Sequence, residues 1–311
     1  MIVIAGGTGR LGTLLVARLT ARGLPVRVIT RDQARPGRVT TDLVELVVGD
    51  VRDRATLTRA VDGATVVVSA MHGFPGTRHQ NPTTIDRDGN INLASAAHAV
   101  GADLVMMSVV GASADHPMDL FRMKHAAEEH AWGIGLPLTV IRATAYLELW
   151  VGILQQTAGR SGRPLVFGAG NNPINFVSVR DVAAIVDQAV TDPAVRGRTL
   201  QITGPVDVSV NELATAVQTA AGRTSAPRHL PRTMLEFVAG TVGRVQPALG
   251  RQLRAAAAMD QLNLTAGPSD LPETYPRPSI TPEMCLTGTT AAQRAVDASQ
   301  ARPDGRVPAR D

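Results

Sequence analysis

The chain opens on Ile2-Val3-Ile4-Ala5, apolar at every position, and runs directly into Gly6-Gly7-Thr8-Gly9-Arg10-Leu11-Gly12. Leu11, Leu14, Leu15 and Leu19 then recur at helical spacing, and Gly23 followed by Pro25 ends that helix before the next apolar run at 26–30. Strands apolar on both faces have to be covered on both faces, as in a parallel sheet clothed by helices. The opening is therefore a complete βαβ unit. Glycines in its first turn permit a tight bend, let the backbone approach a diphosphate, and allow helix and strand to pack closely. Phosphate would lie on the helix N-terminus, where free N–H groups and the macrodipole favour anions. The loop satisfies G-x-x-G-x-x-G through Gly6, Gly9 and Gly12, and G-x-G-x-x-G through Gly7, Gly9 and Gly12. Its place between strand and helix makes Gly6, Thr8, Gly9, Arg10, Leu11 and Gly12 candidate dinucleotide-binding residues.

Further short β-rich runs at 43–48, 65–70, 104–108, 138–142 and 199–203 alternate with helical patterns at 54–62, 84–100, 120–132 and 179–191. The alternation predicts an α/β, doubly wound parallel sheet. Residues 1–143 form the expected Rossmann domain, with 175–204 returning to it. Residues 144–174 and 205–286 form a smaller substrate-binding lobe, in which Ser209-Val210-Asn211-Glu212 has capping-box spacing and opens a helix ending near Gly222. Residues 287–311 lack apolar periodicity and are expected to form a flexible tail.

At 311 residues the chain has length enough for a substantial core. A single cysteine, Cys285, excludes an intrachain disulfide and fits a reducing compartment, so the cytoplasm is the expected location. No secretory signal and no apolar run long enough to cross a bilayer is visible, so no membrane role is expected. The formal charge of +4 comes from scattered basic residues with few aromatics between them, which argues against nucleic acid as a partner. A monomer or a homodimer is expected.

Among 31 basic residues there is one lysine, Lys124; every other one is arginine. A lysine can shift its pKa and act as a compact donor, whereas a guanidinium stays protonated. Lys124 is either a functional amine or a surface residue beside Glu128. The order of residues places Ala70, Met71 and His72 after the fourth strand, Ser108 after the fifth, and Thr144 and Tyr146 after the sixth, all at the edge where open α/β sheets bind ligands.

The cofactor is expected to be NADP, with NAD as the alternative. An NAD site offers a carboxylate to the ribose about 20 residues after the loop. Here the second strand runs into Arg31 and Asp32: Arg31, helped by Arg10, suits a 2′-phosphate, and Asp32 suits NAD. Asp50 and Val51 are placed for the adenine; alternatively Asp50 caps the helix that begins near Asp53.

Together with the opening loop, six further sets of residues carry a family resemblance: Gly49-Asp50-Val51-Arg52-Asp53; Asp86, Gly89 and Asn92; Val105 through Ala112; Leu138 through Arg142; Asn175 through Ala183; and Ile202-Thr203-Gly204-Pro205. With Lys124 and Glu128, they make the sequence similar to NmrA-like, atypical short-chain dehydrogenases, a group that includes isoflavone-reductase-like enzymes and NAD(P)H-quinone reductases. The resemblance covers about residues 1–285 and implies a nicotinamide-dependent oxidoreductase. It departs from short-chain dehydrogenases at the catalytic tyrosine, replaced by Leu120, and at the helper serine, which falls at Val109 and leaves Ser108 one residue early. Isoflavone-reductase-like members also lack that tyrosine and use the lysine, which the resemblance implies for Lys124. Lys124 and Tyr146 are the candidate catalytic residues, with His72 as another donor; Lys124, Ala70, Met71 and Ser108 complete the candidate cofactor site.

Met71, Phe74, Leu147, Trp150, Leu154 and Phe167 are expected either to line an apolar mouth for a small apolar or aromatic substrate, or to form core between the lobes. Glu128 and Glu129 are expected to form a solvated helix face, and the histidines show no metal-ligand spacing. Two function classes follow. One is a reductase of a small carbonyl, enone or quinone; the other is a non-catalytic NAD(P)-binding sensor. An isomerase or dehydratase that retains its cofactor is a third.

Overall fold

The computed structural model describes residues 1–31, 41–74, 76 and 79–287. Asp32 and the tail beyond 287 lie outside the described residues. Seven parallel strands form the central sheet: β1 (Ile2–Ala5), β2 (Val26–Thr30), β3 (Val44–Val48), β4 (Val66–Ser69), β5 (Asp103–Val109), β6 (Leu138–Ala143) and, from later in the chain, β10 (Arg198–Ile202). Their spatial order is β10-β6-β5-β4-β1-β2-β3. The order reverses at β1, so β1 and β4 flank the switch point at which doubly wound folds take their ligand.

Successive residues of each strand feed opposite cores. Ile2, Ile4, Val28, Val105 and Met107 pack under α1 (Arg10–Ala21) and α6 (Val179–Thr191). Val3, Ala5, Val67, Leu104, Met106 and Val140 pack under α2 (Arg54–Ala60), α3 (Asp88–Ala99) and α4 (Asp119–Gly133). Period-two alternation between two apolar layers is why these runs contain no polar stripe. The helix expected over 84–100 is instead preceded by a separate π-helical turn, Pro82–Arg87, opened by a reciprocal capping box between Asn81 and Thr84. This wider turn sets the position of Asp86.

The second lobe is made of short pieces. β7 (Ala145–Tyr146), β9 (Pro173–Val177) and β11 (Asp207–Ser209) form one small sheet, and β8 (Leu165–Phe167) pairs with β12 (Arg228–Leu230) in another. Leu147, Val151 and Leu154 of α5 (Leu147–Ala158) pack on Ile174, Phe176, and Leu213 and Val217 of α7 (Val210–Ala220). The Ser209–Glu212 capping box opens α7 as its spacing predicts. α8 (Arg232–Val245) and α9 (Pro247–Met259) form a helical hairpin with a small core of its own, Leu235, Ala239, Leu253 and Ala257. Although β9 pairs outside the central sheet, α6 and β10 join it. Buried Asn175 ties the junction: its Oδ1 accepts from Thr144 Oγ1 at 2.9 Å and Gly204 N–H at 2.7 Å, and its Nδ2 donates to Asp207 at 2.7 Å. Among the described residues no helix is long and apolar enough to cross a membrane.

Candidate functional site

The glycine loop is closed by backbone contacts that leave no space for side chains. Gly9 N–H donates to Gly6 O at 2.9 Å, and Gly6 sits at φ +86°. A Cβ on Gly12 would lie 2.2 Å from Gly6 O, and one on Gly6 would lie 2.6 Å from Ala70 O at the end of β4. No side chain caps the first turn of α1 and no acidic residue lies in it. The N–H groups there keep the free valence of a helix start, and Thr8, Gly9 and Arg10 are exposed. A close-approach cradle of unfilled N–H donors without a competing carboxylate fits a dinucleotide diphosphate.

Arg31 is exposed at the end of β2. Asp50 is engaged by its neighbour: Arg52 Nε lies 2.9 Å from Oδ1, and Arg52 N–H donates to the same oxygen at 2.9 Å. This hydrogen bonding with Arg52 is the main cause holding the Asp50 carboxyl below the usual carboxylate range. The cap of α2 is Asp53, whose side chain accepts Ala55 N–H at 3.0 Å. Val51 is half-buried beside Asp50, and its carbonyl accepts from Asn92 at 3.0 Å.

Lys124 is 3% exposed, on the inner face of α4. Its ammonium donates to Met107 O at 3.0 Å and Met71 O at 3.1 Å, carbonyls at the ends of β5 and β4. Its charge rests against Asp86 Oδ1 at 3.1 Å; that oxygen is within ion-pair reach but off the hydrogen-bonding direction, and it has no hydrogen-bond partner among the described residues. Asp86 is fully buried, and its Oδ2 accepts Gly73 N–H at 2.9 Å. Asn90 fixes the turn from behind, donating to Asp86 O at 2.8 Å while its Oδ1 accepts from Ser69. A charge buried this deeply persists only when paired and hydrogen-bonded, and both conditions are met. The lone lysine is thus no surface residue. It is a fixed inward charge beneath the carboxyl edge of the sheet, and Asp86, whose role the residue pattern left unassigned, is its counter-ion.

Glu128 corrects the expectation of a solvated face. It is 1% exposed and pairs with Arg142 of β6, which donates through Nε to Oε1 at 3.2 Å and through Nη2 to Oε2. Only Glu129 is exposed. The helical spacing was compatible with this, but the partner lies on a strand that sequence adjacency does not reveal. Ser108 faces the α4 side of the sheet with Leu104 and Met106, opposite to Met107, and its buried Oγ has no partner among the described residues.

Tyr146 packs against the core under α1 and α6, and no hydrogen bond involves its hydroxyl among the described residues. Burial, reinforced by Glu148, pushes its pKa far up, so the phenol keeps its proton. The apolar set expected at one mouth is dispersed. Leu147 and Leu154 are core of the second lobe, Met71 is core beneath α3 and α4, and Phe167 packs on the α8–α9 hairpin. Trp150 stands edge-on to Phe176 with ring centres 6.0 Å apart, and Phe74 stacks on His72, also at 6.0 Å. Of the six, Phe74 alone stands beside a candidate site residue's ring.

The NmrA-like family pattern matches residues 1–256. The chain belongs to the NmrA-like family. This NmrA-like chain is 26% identical over 275 residues to the NAD(P)H azoreductase of Xenophilus azovorans, covering 87% of this chain and 89% of that protein. It is 30% identical over 228 residues to the (4-alkanoyl-5-oxo-2,5-dihydrofuran-3-yl)methyl phosphate reductase of Streptomyces griseus, covering 72% and 74%. Among solved structures it is similar to the Citrobacter sp. triphenylmethane reductase complexed with NADP(H), with a TM-score of 0.76 at 19% identity over 92% of this chain and 99% of that one. That likeness establishes the fold, an NAD(P)-binding Rossmann type with a second lobe. The family resemblance carried by the motifs is thereby shown, and the two relatives named above are reductases, the class of enzyme it implied.

Proposed function

We propose that the protein is an NADP-dependent reductase that delivers hydride to a small apolar carbonyl, enone or quinone. The observation that carries this is the cradle at Gly6–Gly12 abutting Ala70 at the end of β4, next in sequence to Met71, whose carbonyl a buried lysine ties to that of Met107 on β5. Gly6, Gly9, Gly12 and the N–H groups of Thr8, Arg10 and Leu11 would hold the diphosphate, Arg31 with Arg10 the 2′-phosphate, and Asp50 and Val51 the adenine side. Ala70, Met71 and Ser108 would border the nicotinamide. When bound, the reduced nicotinamide supplies the hydride. The protein's own contribution is orientation and stabilisation of the charge that develops on the substrate.

Lys124 serves the reaction from below. Its ammonium would fix the two carbonyls that shape the nicotinamide edge, with its charge balanced by Asp86. Tyr146 offers a protonated phenol from the start of the second lobe. The test is NADPH oxidation by purified protein with a panel of quinones, enones and azo dyes, beside calorimetric titration with NADP and NAD. The expected result is turnover with at least one acceptor and tighter binding of NADP than of NAD. Binding without turnover of any acceptor would place the chain among sensors; no binding of either nucleotide would overturn the reading.

A further inference from the structure

The buried pair of Lys124 and Asp86 grips the backbone on both sides of one residue. Lys124 holds Met71 O at 3.1 Å, and Asp86 holds Gly73 N–H at 2.9 Å. Between them stands His72, the one side chain of the three that opens outward, 44% exposed. Met71 is buried, and Gly73 has no room for a side chain, since a Cβ there would lie 2.6 Å from Asn81 O. His72 lies two residues beyond Ala70, whose carbonyl touches the nucleotide loop. From the second lobe, Arg251 of α9 reaches across to the same segment, donating through Nε to Phe74 O at 3.0 Å and through Nη2 to Gly76 O at 2.8 Å. Phe74 stacks its ring on the imidazole with an interplanar angle of 24°. The backbone on both sides of His72 is therefore held, by the buried pair and by Arg251 from the second lobe, while the ring itself lies against Phe74 with Asp86 3.9 Å from its Nδ1.

We propose that His72 is a substrate-contacting catalytic residue: its ring N–H donates a hydrogen bond to the acceptor oxygen of a bound quinone or enone, while Lys124 and Asp86 are positioning residues that set its orientation. The inference rests on the reductase reading above and names the donor within it.

The charged groups facing His72 support a neutral donor. Although solvent reaches part of its surface, the enclosing protein is the largest influence and holds the imidazole below its ordinary value of 6.5. Asp86, 3.9 Å from Nδ1, opposes this, and Lys124 and Arg251 reinforce it. A neutral imidazole still offers one N–H to polarise a carbonyl, as an electrophile without full proton transfer. In an enone reduction, hydride forms a new C–H bond at the β-carbon and the C=C electron pair shifts so that the carbonyl oxygen gains the negative charge. That oxygen accepts the His72 N–H bond as charge accumulates and takes its proton from water, leaving hydroxide. Both electrons of the hydride would come from a bound reduced nicotinamide.

Nuclear magnetic resonance of histidine-labelled full-length protein gives a readout independent of turnover. The His72 resonances should titrate with a midpoint below 6.5 and should shift when 2-methyl-1,4-naphthoquinone is added, with or without NADP. A quinone that binds without moving His72, or that does not bind at all, would overturn the proposal. In kinetics, His72→Phe keeps the ring stack but loses the donor; kcat should fall at least tenfold with KM for NADPH within twofold, and His72→Asn should recover part of the loss. Wild-type kcat in His72→Phe, with Tyr146→Phe impaired instead, would transfer the role to Tyr146. If NADP fails to bind while the quinone still shifts His72, the reductase reading fails and the His72 contact stands.

Discussion

Along the carboxyl edge of the central sheet the polar groups described above are mostly backbone, whereas the second lobe meets the same edge through the side chain of Arg251. The edge is built from Gly6 to Gly12, the carbonyls of Ala70, Met71 and Met107, and one buried ion pair that holds the last two in place. The second lobe contributes Arg251, which clasps Phe74 and Gly76. The difference follows from what each lobe rests on. Strands apolar on both faces and covered by two helical layers form a rigid base, so main-chain groups at their ends are held without further support. Strands of two or three residues such as β7, β8 and β12 supply no such base, and polar side chains must bridge the gap.

The comparison can be broken most directly at its base. Lys124→Ala leaves Asp86 buried without a counter-ion, which should cost about 3–5 kcal/mol of stability and lower turnover more than tenfold; denaturant unfolding and steady-state kinetics read the two effects. An unchanged unfolding midpoint would show that the edge does not depend on the pair. Gly12→Ala should weaken NADP binding by about a hundredfold, roughly 2.7 kcal/mol, because the new methyl meets Gly6 O at 2.2 Å; calorimetry tests it, and an affinity within threefold of wild type would contradict a close-approach cradle. Arg31→Ala should cost NADP about tenfold in affinity, near 1.4 kcal/mol, and leave NAD unaffected, so loss of both nucleotides to the same degree would place the arginine elsewhere than at the 2′-phosphate. The smallest effect is expected in the second lobe at Phe237, 72% exposed on α8. Phe237→Ser should change unfolding by no more than about 0.5 kcal/mol, and a larger loss would reveal packing that the exposed helix face conceals.

The motifs on the strands and in the glycine loop were legible because their signals are local. Four apolar residues followed by closely spaced glycines and a leucine stripe specify strand, turn and helix without reference to distant parts of the chain, and the rarity of lysine singled out Lys124 before its surroundings were known. Glu128 shows where that legibility stopped. Its place in an adjacent pair of glutamates, Glu128-Glu129, suggested a solvated face, yet Arg142 on β6 draws it inside. Leu147 and Leu154 show the same limit, since apolar residues near a predicted mouth are indistinguishable by pattern from the core of a neighbouring lobe. The helix expected over 84–100 is present as α3, but its widened first turn was not legible for a related reason: Asp86 in that turn meets Gly73 and Lys124, which are distant in sequence.

By itself the sequence determined the parallel sheet, the nucleotide loop and the residue types available at the carboxyl edge, because helical and strand periodicities and close glycines act over a few bonds. Only the tertiary structure decided that Asp86 is the partner of Lys124, that the pair holds the residues on either side of His72, and that Arg251 closes over the same segment. These are contacts between side chains and carbonyls brought together by strand order and by one widened helical turn. Pairing of that kind is set by the low polarity of the interior, where a charge must find a counter-charge wherever the fold delivers one.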